Sequence, residues 1–446
     1  MENSLTPQTL TYTGVIRLTL PIILANMAVP LLGLVDTAII GHTGNASDLG
    51  AIALGSLVFT FVFWAFGFLR MSTTGFTAQA MGAGNIGEAR AVFGRSILLG
   101  ATLGIGLFLI QYPIIHSALW LLGGSEEVEA QVKVYWDIRI WAAPATLVTY
   151  AIMGALIGLG KTRQLLWLQL CLNGINLILD VVFVVGMDRG VKGIAAGTLI
   201  AEWVSAFIGL WMVSRYLRET GKPFWDWTRM LNRRDFSRML STNADIMWRT
   251  LFLLAGFAFF ANQGARFGDT TLAANHILLQ IISFSAFFLD GFAFAAESLV
   301  GQALGTRSKI LFDRVIGLST RLAAGTAIAL TLTIFFLGPW AIQGLTSIEI
   351  VQTQAIAYMP FAAVYVLFSF AAFQLDGIFI GATHSRAMRN ASFLSLIIFL
   401  LVFAVTRPWG NEGLWIAFII YVTARAITLG RYYPALRNEI SAAAKN

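Results

Sequence analysis

The chain has 446 residues, 57% of them hydrophobic and 12% charged, with a mean hydropathy of +0.74. A soluble domain carries about 25% charged residues, so the polar residues here cannot cover this much apolar surface, and a water-soluble globule is excluded. The formal net charge of +7 does not point to a nucleic-acid partner, because the basic residues are distributed by membrane side rather than gathered into one patch.

The opening segment MENSLTPQTLTYTG is polar, carries Glu2, and has neither a basic n-region nor a small-residue cleavage site, so no signal peptide is expected. After it, apolar stretches recur that are long enough to cross a ~30 Å hydrocarbon layer as helices. Twelve spans are expected, near 14–42, 49–81, 89–113, 131–158, 164–186, 193–214, 239–264, 272–304, 315–338, 353–382, 390–406 and 413–430. The first holds Pro21 and Pro30, which lack an N–H and should bend it, and also Asp36. Arg70 and Arg139 fall in the second and fourth spans and Glu202 in the sixth, where pairing would satisfy them.

The fifth span contains NGINLILD, in which Asn173, Asn176 and Asp180 stand at i, i+3 and i+7 on one helical face. Cys171, the sole cysteine, lies in the same span, so no intramolecular disulfide or thiolate cluster is possible. Counted at 1.5 Å per residue from the cytoplasmic ends, Asp36 lies roughly 33 Å and Asp180 roughly 24 Å along their helices. Both are then in the outer half of the membrane, and Thr198, about one turn into the sixth span, is at comparable depth. Two carboxylates, the Asn176 amide oxygen and a threonine hydroxyl can bind a hard cation, and two close carboxylates can equally share a proton. A satisfied interhelical hydrogen-bond cluster is the other reading of the same residues.

Residues 214–238, SRYLRETGKPFWDWTRMLNRRDFSR, are rich in charge and aromatic rings and read as a cytoplasmic linker. It divides the chain into an N-lobe at 1–213 and a C-lobe at 239–446. Beyond it, Asp245 and Arg249 stand i, i+4 and read as a local ion pair. Asp290 and Glu297 share a face of the eighth span, and Asp376 lies near the inner end of the tenth. With Asn173 these three acids are candidates for the cargo cavity, or else for inward pairing and interface anchoring. His42, His276 and His384 lie near helix ends, where water can satisfy them.

The even-numbered loops and the tail carry most of the loop Lys and Arg residues, among them Lys161, Arg163, Arg233, Arg234, Arg307, Lys309, Arg386 and Arg437. The opposite loops hold Lys133, Arg189, Lys192, Arg266 and Arg407, so both termini are expected in the cytoplasm. The two halves repeat. TAQAMGAGN matches VGQALGTRS with Gln79 over Gln302 and Gly82 over Gly305, an offset of 223. At that offset GALIGLGKTR falls on GIFIGATHSR, and after a slip Gly190 and Gly193 fall on Gly410 and Gly413. Parallel six-helix repeats are an arrangement of secondary transporters. Charges do not repeat: Phe259 stands where Asp36 would fall, and the eleventh span has no counterpart of Asp180. One lobe is therefore expected to handle an ion. GALIGLGKT is a residue too long for a phosphate loop, and no HExxH, GxSxG or DDxxD occurs, so an ion gradient rather than a nucleotide is the expected energy source.

DTAIIGH, YWDIRIWAAPA, GALIGLGKTR and NGINLILD together resemble the multidrug and toxic compound extrusion (MATE) family, closest to its DNA-damage-inducible protein F branch, over nearly the whole chain. The resemblance implies an all-α integral membrane protein, with twelve transmembrane helices in two pseudo-symmetric six-helix bundles. It implies export of amphipathic or cationic organic compounds by alternating access in exchange for H+ or Na+. The family's cation-site pattern falls on Asp36, Asn176, Asp180 and Thr198, and its bending first helix on Pro21. Other branches place acids in the seventh helix, where FLLAGFAFFANQGARF has none. The expected protein is a monomer in the bacterial inner membrane, with no cofactor and no nucleic-acid partner. An exporter or flippase of lipid-linked precursors is the alternative.

Overall fold

The computed structural model describes residues 10–43, 45–218 and 224–443. Its helices are α1 (Tyr12–Thr43), α2 (Ala46–Trp64), α3 (Phe68–Gly82), α4 (Ile86–Leu109), α5 (Gln111–Leu122), α6 (Glu126–Arg139), α7 (Ala143–Gly158), α8 (Thr162–Asp180) and α9 (Gly190–Leu217) in the first half. The second half has α10 (Trp227–Met230), α11 (Arg233–Arg266), α12 (Asp269–Gly305), α13 (Lys309–Leu345), α14 (Glu349–Gly381), α15 (Ser385–Thr406), α16 (Gly410–Gly430) and α17 (Tyr433–Ala443). No strand occurs among the described residues.

Ten described stretches are long and apolar enough to cross a membrane. One of them, Ser385–Ile440, contains both α15 and α16, and α1 adds a helix of 32 residues, giving the twelve spans read from the sequence. Two spans are each built from two helices joined by a 3₁₀ turn, Ala65–Gly67 between α2 and α3 and Ile140–Ala142 between α6 and α7. The helices outrun the apolar patterns: α13 has 37 residues, about 55 Å at 1.5 Å each, so it continues well past the lipid. Large apolar side chains such as Ile178, Phe336, Leu401 and Val405 stand exposed, as they must where the solvent is hydrocarbon.

The chain forms two compact units. One contains Leu24–Met81 and Asn85–Met239; the other contains the residues through Ile23, Gly82–Gly84 and Leu240–Asn446. The division falls inside α1, two residues past Pro21, although α1 is helical throughout. Its first turns belong with the C-terminal unit, where Arg314 Nε donates to the Leu10 carbonyl at 2.9 Å and Ile23 packs on Gly291.

The repeat is written into the backbone. Left-handed residues occur at Gly84 and Arg307, and again at Gly160 and Thr383, each pair 223 apart; Gly190 and Gly410 repeat at the slipped register. The chain reversals match bond for bond. Asn85 N–H donates to the Ala80 carbonyl as Ser308 N–H does to Ala303, and Lys161 to Leu156 as His384 does to Phe379. These are the i to i−5 bonds of a Schellman helix end. The following helices are capped alike, Asn85 accepting from the Glu88 N–H at 3.0 Å and Ser308 from the Leu311 N–H at 3.2 Å.

GALIG and GIFIG are crossing points. A Cβ on Gly154 would lie 2.3 Å from the Arg70 carbonyl and one on Gly158 2.8 Å from that of Thr74. In the other half Gly377 meets the Ala293 carbonyl at 2.3 Å and Gly381 that of Glu297 at 2.5 Å. Each GxxxG lets two backbones touch, α7 on α3 and α14 on α12, which is how helices associate where lipid supplies no hydrophobic drive.

Candidate functional site

Asp36 on α1, Asn176 and Asp180 on α8 and Thr198 on α9 come together inside one unit, with Asp36 3% exposed and the other three 0%. Asn176 Nδ2 donates to Thr198 Oγ1 at 3.2 Å, and the threonine hydroxyl donates to the Ile194 carbonyl at 3.0 Å. That pairing uses the threonine hydroxyl and one of the two Asn176 N–H groups. Asp36 Oδ1, Asn176 Oδ1 and both Asp180 oxygens have no hydrogen-bond donor. Ionised carboxylates only accept, so Asp36 and Asp180 could bond to each other only if one held a proton. A buried set of acceptors of this kind calls for a proton or a hard cation.

Local backbone chemistry positions these groups. Asp180 is the last residue of α8, and the helix then widens into a π turn over Val181–Gly186, a distortion frequent at functional sites. A Cβ on Gly197 would fall 2.3 Å from Asp180 Oδ1, so this glycine supplies the room the carboxylate occupies. Asn173 Nδ2 donates to the Ala28 carbonyl at 2.6 Å and ties α8 to α1. Among the described residues no three His, Cys, Asp or Glu side chains gather as a metal centre would need.

Arg139, the last residue of α6, belongs to the same unit as the cluster. Its guanidinium pairs with Glu202 at 3.7 Å, hydrogen-bonds the Tyr135 hydroxyl and lies 4.6 Å above the Phe59 ring. Glu202 also accepts from the Thr146 hydroxyl, and Tyr135 shares a hydrogen bond with Ser56 at 3.2 Å. Sequence reasoning placed Arg139 and Glu202 in structural pairs, and the structure pairs them with each other. It missed Tyr135 and Gly197, whose only signals were the i, i+4 spacing of Tyr135 to Arg139 and the adjacency of Gly197 to Thr198.

The second half answers the same backbone with aromatic rings. At the 223 offset Asp36, Asn176 and Asp180 become Phe259, Phe399 and Phe403, and at the slipped offset of 220 Thr198 becomes Phe418. Phe259 meets Phe399 and Phe403 edge-on, each at 5.4 Å, and Phe399 lies 5.8 Å from Phe418. Four polar groups in one lobe are thus four interlocked rings in the other.

The C-terminal unit carries its charges elsewhere. Asp376 Oδ2 accepts from both Arg249 and Arg425, the latter at 2.6 Å, with all three side chains buried. The expected Asp245–Arg249 pair does not form the principal contact. Asp245 instead takes Arg389 at 2.6 Å and Ser385 at 2.9 Å, because α15 brings two donors to it while Arg249 reaches across to α14. Glu297 is buried and Asp290 half-buried on α12, Glu297 lying at the crossing with Gly381. His384 pairs with Glu439 at 3.1 Å and His276 lies 3.4 Å from Gln280; the side chain of His42 is outside the described residues.

Comparison with known proteins agrees with this architecture. The MatE family pattern matches residues 21–182 and 249–406, one segment in each half. The chain is 37% identical over 420 residues to DNA damage-inducible protein F of Escherichia coli (strain K12), covering 93% of this chain and 90% of that protein. It is 23% identical to the multidrug resistance protein NorM of Vibrio cholerae over 94% of each. Its fold matches the crystal structure of the Vibrio cholerae MATE transporter VcmN in the bent form, with TM-score 0.85 at 20% identity over 96% of this chain and 97% of that one.

Proposed function

The chain belongs to the MatE family of multidrug efflux transporters, and we propose that it is a cation-coupled antiporter, driven by H+ or Na+, that exports amphipathic or cationic organic compounds by alternating access. The observation that carries the reading is the set of buried acceptors without donors at Asp36, Asn176 and Asp180. A cation or proton arriving from outside neutralises the carboxylates, α1 shifts at Pro21, and cargo leaves outward. In this reading both termini and the 214–238 linker between the lobes 1–213 and 239–446 are cytoplasmic, the membrane is the bacterial inner membrane, and the protein acts as a monomer. Asp290, Glu297, Asp376 and Asn173 serve the cargo path.

The test is ethidium export in proteoliposomes under an imposed pH or sodium gradient. Asp36→Asn and Asp180→Asn should insert normally, because removing charge from lipid lowers the insertion cost, yet lose gradient-driven export. Asn176→Ala and Thr198→Ala should weaken it less, since each removes one neutral ligand. Wild-type export by Asp36→Asn would refute the coupling site, and the gradient that drives the wild type identifies the ion. Export of lipid-linked precursors is the second reading. It is favoured by the two buried arginines on Asp376, which suit an anionic headgroup, and transport of a lipid phosphate but not of ethidium would establish it.

A further inference from the structure

Arg249 and Arg425 converge on one carboxylate. Nη2 of each donates to the same oxygen, Asp376 Oδ2, that of Arg425 at 2.6 Å, so α11, α14 and α16 bring two guanidiniums together inside one unit. Among the described residues Asp376 is the only carboxylate paired with either arginine, and two positive charges therefore stand against one negative charge. Arg249, Arg425 and Asp376 are 7%, 6% and 5% exposed and lie in stretches apolar enough to span a membrane, where an uncompensated charge is strongly destabilising. The unused donors have a defined geometry. A guanidinium has five N–H groups, and its Nε and Nη2 share an edge on which it binds the two oxygens of a carboxylate side by side. In both arginines Asp376 takes Nη2, while Nε is shut off from solvent and meets no acceptor among the described residues. The same edge is half filled twice. The Phe373 ring lies 5.7 Å from Arg425 Cζ and covers a face of that guanidinium, which leaves the edge for an acceptor.

We propose that Arg249 and Arg425 form a binding site in the C-terminal unit for a second carboxylate, that of a singly charged organic acid. One negative charge balances the excess positive charge, and the acid supplies acceptors to the Nε atoms that Asp376 does not reach. Asp376 itself shows that a carboxylate oxygen fits against both guanidiniums at once. The acid is either a free small molecule or the acid group of an amphipathic cargo. The site goes beyond the coupling reading and uses neither Asp36 nor Asp180, so each can fail without the other.

The experiment follows thermal unfolding of the full chain in detergent against increasing sodium benzoate at constant ionic strength, with neutral benzamide as the matched control. Benzoate should raise the unfolding temperature saturably and benzamide should not. Arg249→Gln and Arg425→Gln each leave a single arginine to Asp376 and cancel the excess charge, so the half-saturating benzoate concentration should rise about tenfold. Asp376→Asn removes the competing carboxylate and should lower it by a similar factor. Arg437→Gln breaks an exposed pair with Asp313 in the same unit and should leave it unchanged; a shift as large as that of the buried arginines would overturn the site. If the buried variants do not fold, the wild type decides, since no saturable rise with benzoate, or an equal rise with benzamide, overturns the proposal. Rhodamine B and its ethyl ester, tested for export from proteoliposomes, identify the source of the acid. Export of the acid relative to the ester should fall in Arg249→Gln if the carboxylate belongs to cargo. An unchanged ratio with the benzoate shifts intact assigns the site to a free acid.

Discussion

Gly197 sets how closely α9 can approach the Asp180 carboxylate, and it does so by what it lacks. A methyl group there would sit 2.3 Å from Asp180 Oδ1, so Gly197→Ala must push the carboxylate out of its place among Asp36, Asn176 and Thr198. Changes that disturb the support of a metal-type ligand set weaken affinity by about 10–100-fold. Gly197→Ala should therefore raise the gradient required for export by about tenfold while the protein is inserted in normal amount; an unaltered requirement would show that Asp180 does not need this position. The same residue scale explains the asymmetry between the lobes. Phe259, Phe399, Phe403 and Phe418 hold the equivalent positions with rings 5.4–5.8 Å apart, Phe259 meeting Phe399 and Phe403 edge-to-face and Phe399 tilted against Phe418, packing that is favourable in an apolar interior and offers no ligand to an ion.

At the scale of elements, the helix ends and crossings follow from a few glycines. Gly160 lies at φ +69° and Gly84 at φ +68°, in the left-handed region where a side chain is strained, whereas the repeat partners Thr383 and Arg307 adopt φ of 56° and 55° with a side chain present. A residue other than glycine in this region costs on the order of 1 kcal/mol or more. Gly160→Ala should accordingly lower the thermal unfolding temperature in detergent, and Arg307→Gly should raise it. If both changes move stability in the same direction, the strain assignment fails. The crossings are less tolerant, because a backbone carbonyl cannot swing away. Gly377→Val would drive a branched side chain into the Ala293 carbonyl, an overpacking that costs about 1–3 kcal/mol, and the yield of folded protein should fall clearly below that of Gly325→Val, where a Cβ meets nothing within 4 Å.

For the whole molecule, the basic loops underlie the proposed orientation with the linker in the cytoplasm, and the linker is where that proposal is tested. Trp227 at the start of α10 is 60% exposed, next to Asp226, whose carboxyl is held below the usual carboxylate range by the Thr228 hydroxyl and the Arg229 N–H. With Cys171→Ser as background, Trp227→Cys should resist a membrane-impermeant maleimide in intact cells and react in inverted vesicles. Labelling of intact cells would reverse the topology.

Hydropathy and charge alone determined that the chain is a helical membrane protein, because an apolar run of membrane length has no other stable outcome in lipid. Self-similarity at 223 residues determined the two halves, and the structure repeats it at Gly84 and Arg307 and at Gly160 and Thr383. Two adjacent carboxylates deep in apolar helices were legible as a candidate site because their cost demands a partner. What lay beyond the sequence were the partners that depend on helix packing. GALIG read as a failed phosphate loop, and only the contact with the Arg70 carbonyl shows why its glycines are there. Asp245 and Arg249 are one helical turn apart in the chain, yet Asp245 binds Arg389 and Arg249 binds Asp376, since a buried charge takes the best geometry offered by any neighbouring helix rather than the nearest residue in sequence. Arg139 is 63 residues from its partner Glu202 along the chain, and no periodicity relates them. Only the packing of α6 against α9 brings Arg139 to Glu202.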